Sequence, residues 1–527
     1  MSEHHGVVYT KEWVVELILD IAGYTPESKL WEQRAVEPSC GEGSFLRSMV
    51  RRLAESAKRG GAFTQAELEG AIAAYDLDES SVQASRSCVR RELVAQGMEA
   101  GEAARLADNW VRCCDYLLTS QSRADYVIGN PPYLRAADIP EEARKRYCER
   151  FSSMTRGCDI YVAFIQHGLE SLGEEGRLCF ICADRWLQNQ YGKKLRGYVS
   201  ERYHISAIVK MHDVDAFEAQ VSAYPAIVLL DKRDGDIRYA DCHGGFGEKD
   251  VPALEKWLES GDEGREGEAF STGYIATPKD DAFLPLADPE KASTVARLMR
   301  DYPTIEETGV SIGIGLATGR DSVFITDEEG IVEEERMLPA FDMRDWRRGR
   351  ASRKRWFINP WDADGSLIDL EKYPKTKAYF YANAEELRSR HVAKKNADAW
   401  YRTIDKVNRS LIGRPMLLFP DMAAKADPVY SDGSKYPCHN CYWLIADSWD
   451  LEVLGGLLMS DTAESFVDAM GVKMRGGTLR FQAQYLRLIH VPVMDDIDKE
   501  TQNELREAFR ESDRELASRA AKKAYSS

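Results

Sequence analysis

Apolar positions recur at helical spacing near the start of the chain. Trp13, Val14, Leu17, Ile18 and Ile21 share one face of a segment predicted as a helix over 7–22, with Thr10 standing ahead of them as a candidate N-cap. The period then changes. Arg34-Ala35-Val36-Glu37 reads as a strand, the loop Pro38-Ser39-Cys40-Gly41-Glu42-Gly43-Ser44-Phe45 follows, and a helix begins at Phe45 and runs on to Leu53. The run 71–76 is a second apolar strand that closes on the acids Asp76 and Asp78, and Cys113-Cys114-Asp115-Tyr116 falls where a third strand should end. Tyr126 to Ile128 forms a short buried strand, 159–172 an amphipathic helix, and 177–183, 205–211 and 223–230 three further strands, which makes Cys179 and Cys182 core thiols. Between the last two strands lies a polar loop, 214–222, carrying one aromatic residue, Phe217, as either a stacking partner or a loop anchor.

Strands that alternate with helices predict an α/β domain, a doubly wound sheet whose carboxyl edge receives a ligand. Gly41 and Gly43 permit a tight turn and close approach of a ligand to backbone, but the third glycine of a dinucleotide fingerprint is absent, so a smaller adenosine ligand is favoured. An acid ending the second strand, Asp76, is placed for ribose hydroxyls, and Asp78 equally for starting the next helix. Asp115 is a candidate acceptor for an adenine amine. Beyond Asp231 the composition shifts to Gly, Asp, Glu and Lys, which reads as a connecting region. Short strands punctuated by glycine, as in 309–320 and 323–325, then predict a β-rich second domain. The expected division is 1–235, a connection over 236–300, a second domain over 301–495 and a charged, solvated terminal helix within 496–527.

Composition narrows the class. A chain of 527 residues with 44% hydrophobic and 30% charged positions buries full cores and calls for two or three domains. No run of eighteen apolar residues and no signal-peptide pattern is seen, and eleven cysteines lack framework spacing, so a soluble protein of a reducing cytoplasm is expected. Cys438-His439-Asn440-Cys441 has no second pair at zinc-site distance and reads as loop, and no metal is expected. The net charge of −17 argues against a polyanionic partner only on average. Arg344, Arg347, Arg348, Arg350, Arg353, Lys354 and Arg355 stand against the single acid Asp345 between Met343 and Trp356, with Trp346, Trp356 and Phe357 interleaved. Such a run is a solvated face or, in an acidic chain, a footprint for phosphates.

The stretch that carries most chemistry is Gly129-Asn130-Pro131-Pro132-Tyr133. Two prolines fix φ and offer no N–H, so nearby carbonyls are left to accept from elsewhere. The Asn130 side-chain oxygen and the Pro131 carbonyl together suit the two hydrogens of a planar exocyclic amine, with Tyr133 stacked on its ring. An ordinary turn after a strand is the plainer alternative, because Asn-Pro opens many turns.

Glu37-Pro38-x-Cys40-Gly41-x-Gly43-x-Phe45 followed by Asn130-Pro131-Pro132-Tyr133 resembles the amino-methyltransferases that use S-adenosylmethionine, specifically the gamma-type adenine-N6 DNA methyltransferases of restriction–modification systems. The resemblance covers about residues 7–230 and continues loosely through Gly313-Ile314-x4-Gly319-Arg320 and Pro339-x4-Arg344-Asp345. It implies a Rossmann-like methyltransferase sheet with a C-terminal target-recognition domain. Thr10 and the loop 37–45 would hold the methionine part of the cofactor, Asp76 its ribose and Asp115 its adenine amine. Asn130, Pro131, Pro132 and Tyr133 would form the catalytic turn, and Phe217 the second aromatic against the flipped base; Arg344, Arg347, Arg348 and Arg350 are the phosphate candidates that the charge pattern offers. The implied partners are duplex DNA and, functionally, a cognate restriction endonuclease, with the enzyme a monomer in a prokaryotic cytoplasm. Glu37 where many relatives have Asp, and an insertion around 59–69, depart from the pattern. Cytosine N4, RNA, a protein glutamine and a non-catalytic DNA-binding subunit are the competing readings. A large second domain carrying a basic, aromatic cluster argues against the glutamine, and an intact Asn130 and Tyr133 against the inactive subunit.

Overall fold

The computed structural model describes residues 9–120, 123–155, 157–219, 224–264, 266–349, 353–423, 425–439, 441–470 and 479–526. The chain divides into two compact units, Met1–Arg300 and Asp301–Ser527.

The first unit is built on nine strands: β1 (Ala35–Glu37), β2 (Ile72–Asp76), β3 (Val111–Cys113), β4 (Ala124–Gly129), β5 (Leu172–Ala183), β6 (His204–Lys210), β7 (Pro225–Asp231), β8 (Ile237–Cys242) and β9 (Phe270–Ile275). They lie in the order β3-β2-β1-β4-β5-β7-β6-β8-β9. The first five run parallel, β7 is antiparallel to β5 and β6, and β9 is antiparallel to β8. Successive residues face opposite sides, as the pleat requires: Ala35, Ile128 and Cys179 enter one apolar cluster, and Val36, Val127 and Phe180 the other. Helices Glu12–Ala22, Ser44–Gly60 and Glu79–Ala95 cover the first face, and Tyr161–Ser171 and Lys193–Arg202 the second. Chain order reverses between β1 and β4, which opens a crevice beyond the carboxyl ends of the strands.

Two expectations change here. The first helix starts at Glu12 with Lys11 as its N-cap, so Thr10 caps nothing; it forms an antiparallel bridge with Phe217 instead. The segment 236–300 is no mere connection, because β8 and β9 extend the sheet and the indole of Trp257 and the ring of Phe270 join its core. Its acidic surface residues hid that apolar side from a composition reading.

The second unit is mixed. One four-stranded sheet comprises Ser311–Ile314, Cys441–Ile445, Met416–Pro420 and Val429–Ser431, and another Ile325–Thr326, Trp356–Ile358, Met337–Phe341 and Tyr436–Pro437. The terminal segment is two helices, Lys499–Glu511 and Arg514–Ala524, broken where Ser512 takes φ of 55°. Leu505, Ala508, Ala517, Ala520 and Ala521 are buried, and a Cβ on Gly455 or Gly456 would run into Phe509 or Leu505. The charged terminus is therefore an amphipathic pair packed closely against the helix Leu451–Leu458, not a solvated appendage.

Candidate active site

The crevice holds a cavity of about 220 Å3 whose walls include four strand-end segments distant in sequence. The turn after β1 supplies Glu37, Pro38, Cys40, Gly41 and Phe45, and the end of β2 supplies Asp76. Asp115 follows β3, and Asn130, Pro131, Pro132 and Tyr133 follow β4. Parallel pairing of β2, β1 and β4 brings these ends together, since strands that run the same way finish on the same edge.

Backbone and side chain interlock along this edge. Ser39 Oγ donates to the Asn130 carbonyl at 3.0 Å, tying the glycine loop to the Asn-Pro turn. Asp76 accepts from the Gly41 and Asp78 amides, each at 2.9 Å, which fixes its carboxylate plane. Asp78 caps the helix Glu79–Ala95 by accepting from Ser81 N at 2.8 Å. Gly41 and Gly43 take φ of 51° and 93°, so the loop turns as a side chain would resist. Their environments differ. A Cβ on Gly41 would stand 3.6 Å from the ring of Tyr9, which also lines the cavity, whereas one on Gly43 would press on Ser85 and Cys88 at 3.2–3.4 Å. Gly43 is absent from the cavity wall; it lets two helices approach.

Glu37 is 1% exposed, and its Oε2 has no hydrogen-bond partner among the described residues. Burial, helped by the nearby Asp76 charge, holds its carboxyl well above the usual carboxylate range. Asn130 Nδ2 donates to Thr10 Oγ1 at 3.2 Å, which distinguishes the two ends of the amide. Tyr133 keeps its hydroxyl buried and without a hydrogen-bond partner among the described residues, and its ring meets Phe217 edge to face at 6.3 Å and 83°. Phe217 is 6% exposed and lies outside the cavity wall, so it packs roughly perpendicular to the Tyr133 ring and offers no second parallel face.

Sequence reasoning passed over Tyr9, Leu77, Tyr147 and Phe164, which also line the cavity. Leu77 had a signal: an apolar residue between two acids, 68% exposed beside Asp76. Tyr147, which donates to Asp115 Oδ2 at 2.8 Å, had none, because it sits on the strongly polar helix Glu141–Arg150.

A family model described as Eco57I restriction-modification methylase matches residues 75–217, which include Asp76, Asp115, the Asn130 turn and Phe217. The type II methyltransferase M.XhoI of Xanthomonas vasicola is 38% identical over 540 residues, covering 100% of this chain and 98% of that relative. M.PaeR7I of Pseudomonas aeruginosa, also a type II methyltransferase, is 37% identical, covering 99% of this chain and 92% of its own length. The chain belongs to the type II methyltransferases of restriction–modification systems. The methyltransferase also shares its fold with the type IIL restriction-modification enzyme MmeI, solved in complex with DNA, at a TM-score of 0.52 and 12% identity over 98% of this chain and 72% of the other.

In the second unit of this methyltransferase the basic run is less bare than it reads. Arg344 pairs with Asp342, Arg353 with Asp327, Lys354 with Glu329 and Arg355 with Asp345, and Arg347 donates to the Met422 carbonyl at 2.8 Å. Folding brings in acids that the local sequence does not contain. Arg348 shows no such pair among the described residues, and Arg350 lies outside them.

Proposed function

We propose that the methyltransferase moves a methyl group from S-adenosylmethionine to the N6 amine of an adenine flipped out of duplex DNA, so that the modified site resists a cognate restriction endonuclease. One observation carries the reading: the Asn130 turn and the glycine loop, joined by the Ser39–Asn130 bond, line one cavity with Asp76 and Asp115. The cofactor fits that wall on structural grounds. The orphaned Glu37 Oε2 suits the ammonium of the methionine part, Gly41 leaves space that a Cβ would fill, and the Asp76 oxygens keep lone pairs for ribose hydroxyls.

The cofactor supplies an electrophilic methyl group on a sulfonium sulfur. Adenine N6 is a poor nucleophile because its lone pair is delocalised into the ring. Asn130 Oδ1 and the Pro131 carbonyl accept its two hydrogens, favour a pyramidal nitrogen and stabilise the positive charge that develops on it. Preorganised acceptors of this kind contribute roughly 2.7–4 kcal/mol each. Tyr133 holds the ring by stacking, and a base stacked in a duplex reaches this turn only after extrusion.

Incubation of the protein with labelled cofactor and duplex DNA, followed by digestion to nucleosides, should yield N6-methyladenine; N4-methylcytosine would overturn the choice of base. Asn130→Ala should slow single-turnover methylation about 100- to 1,000-fold with little change in DNA or cofactor affinity, the pattern of an interaction made in the transition state.

A further inference from the structure

Asp115, expected to meet the adenine amine, already holds two hydrogen bonds. Its Oδ1 accepts from the Leu117 amide at 3.0 Å, capping the short 3-10 helix Tyr116–Leu118, and its Oδ2 accepts from the Tyr147 hydroxyl at 2.8 Å. Tyr147 is 4% exposed and lines the cavity, and it belongs to the helix Glu141–Arg150, the chain that follows the Asn130 turn. A phenol that gives its only hydrogen to a carboxylate shows just lone pairs to anything else nearby, and the carboxylate likewise. Burial and the Asp115 charge both push the Tyr147 phenol above its ordinary range, so it remains the donor of this pair.

We infer that Tyr147 is a positioning and selectivity residue for the cofactor: its hydroxyl, bonded to Asp115 Oδ2 at 2.8 Å, holds the carboxylate so that it is presented as an acceptor to an exocyclic amine. The inference rests on the cavity being the S-adenosylmethionine site. A carboxylate held in this way suits an N–H of a 6-amino purine and rejects a 6-oxo purine, whose oxygen would face lone pairs with no hydrogen between them.

Calorimetry on the full chain with S-adenosylhomocysteine and S-inosylhomocysteine tests this. The wild-type protein should prefer the adenosyl ligand by at least about 100-fold. Tyr147→Phe keeps an aromatic ring in the apolar cluster that includes Phe151 and Phe164 and should cut that preference about tenfold, raising KM for S-adenosylmethionine with kcat within about twofold. Asp115→Asn, whose amide presents an N–H, should narrow the preference by improving inosyl binding. A tyrosine that only packs would leave the ratio of the two affinities unchanged in Tyr147→Phe, and that result overturns the inference while the cofactor assignment stands. Equal binding of both ligands by the wild-type protein overturns it in the same way. Binding of neither ligand removes the cofactor assignment and the inference together.

Discussion

Two side chains in the cavity carry groups that folding alone leaves unsatisfied. The Tyr133 hydroxyl is buried without a hydrogen-bond partner among the described residues, a condition that costs a folded protein about 1–3 kcal/mol. Tyr133→Phe should therefore keep the methylation rate and melt at the same or a higher temperature, whereas Tyr133→Ala should lose both the rate and the fluorescence of a flipped 2-aminopurine at the target. A rate that falls in Tyr133→Phe would assign the chemistry to the hydroxyl instead of the ring. Glu37 is the second case. Its carboxyl titrates at a higher pH in the folded, ligand-free protein than in the unfolded chain. The stability it contributes is complete below the ordinary carboxylate range and is lost as pH rises through the raised value. Glu37→Gln should raise the melting temperature of the ligand-free protein at pH 8, lose that advantage near pH 4, and weaken binding of S-adenosylmethionine. Unaltered cofactor affinity in this variant would remove Glu37 from the methionine position.

At the level of elements, the loop between β1 and the helix Ser44–Gly60 separates two glycines that look equivalent in the sequence. Both occupy left-handed backbone, where a non-glycine residue costs about 1–3 kcal/mol. Only Gly41 borders the cavity, while Gly43 faces Ser85 and Cys88 on the neighbouring helix. Gly43→Ala should lower the melting temperature and leave the affinity of the folded fraction for S-adenosylmethionine nearly intact, and Gly41→Ala should lower that affinity as well. Melting curves beside calorimetry decide the matter. Equal loss of affinity in both variants would mean that the loop moves as one piece and that this division of roles is wrong.

For the molecule as a whole, the net charge of −17 and any affinity for a polyanion are reconciled only locally. Four of the basic residues between Arg344 and Arg355 are engaged with carboxylates, and two of those acids, Asp342 and Asp345, are buried. Removing one cationic side chain from a DNA phosphate lowers the salt slope of binding by about 0.9. Arg348→Ala should flatten that slope by about this amount and weaken cognate and random duplexes alike. Arg355→Ala, which strips a partner from the largely buried Asp345, should act mainly on the melting temperature. Loss of cognate binding alone in Arg348→Ala would make this side chain a reader of bases.

The sequence determined the order of the strands through Asp231, because hydrophobic period is a local property that each segment carries by itself, while the helices Ala100–Trp110, Glu141–Arg150 and Lys193–Arg202 escaped it. It also marked the Asn130 turn and the glycine loop as a candidate site, since prolines, glycines and strand-ending acids act through backbone geometry close to their own positions. Tertiary structure decided which of these residues share a wall. Parallel pairing put Asp76, Asp115 and Asn130 on one edge, and helix packing claimed Gly43. Long-range contact gave Asp115 its Tyr147, put Thr10 beside Asn130, and supplied Asp327 and Glu329 to a basic run that has no such acids of its own. Each of these joins residues whose separation in sequence leaves no periodic trace, so only the folded chain brings them together.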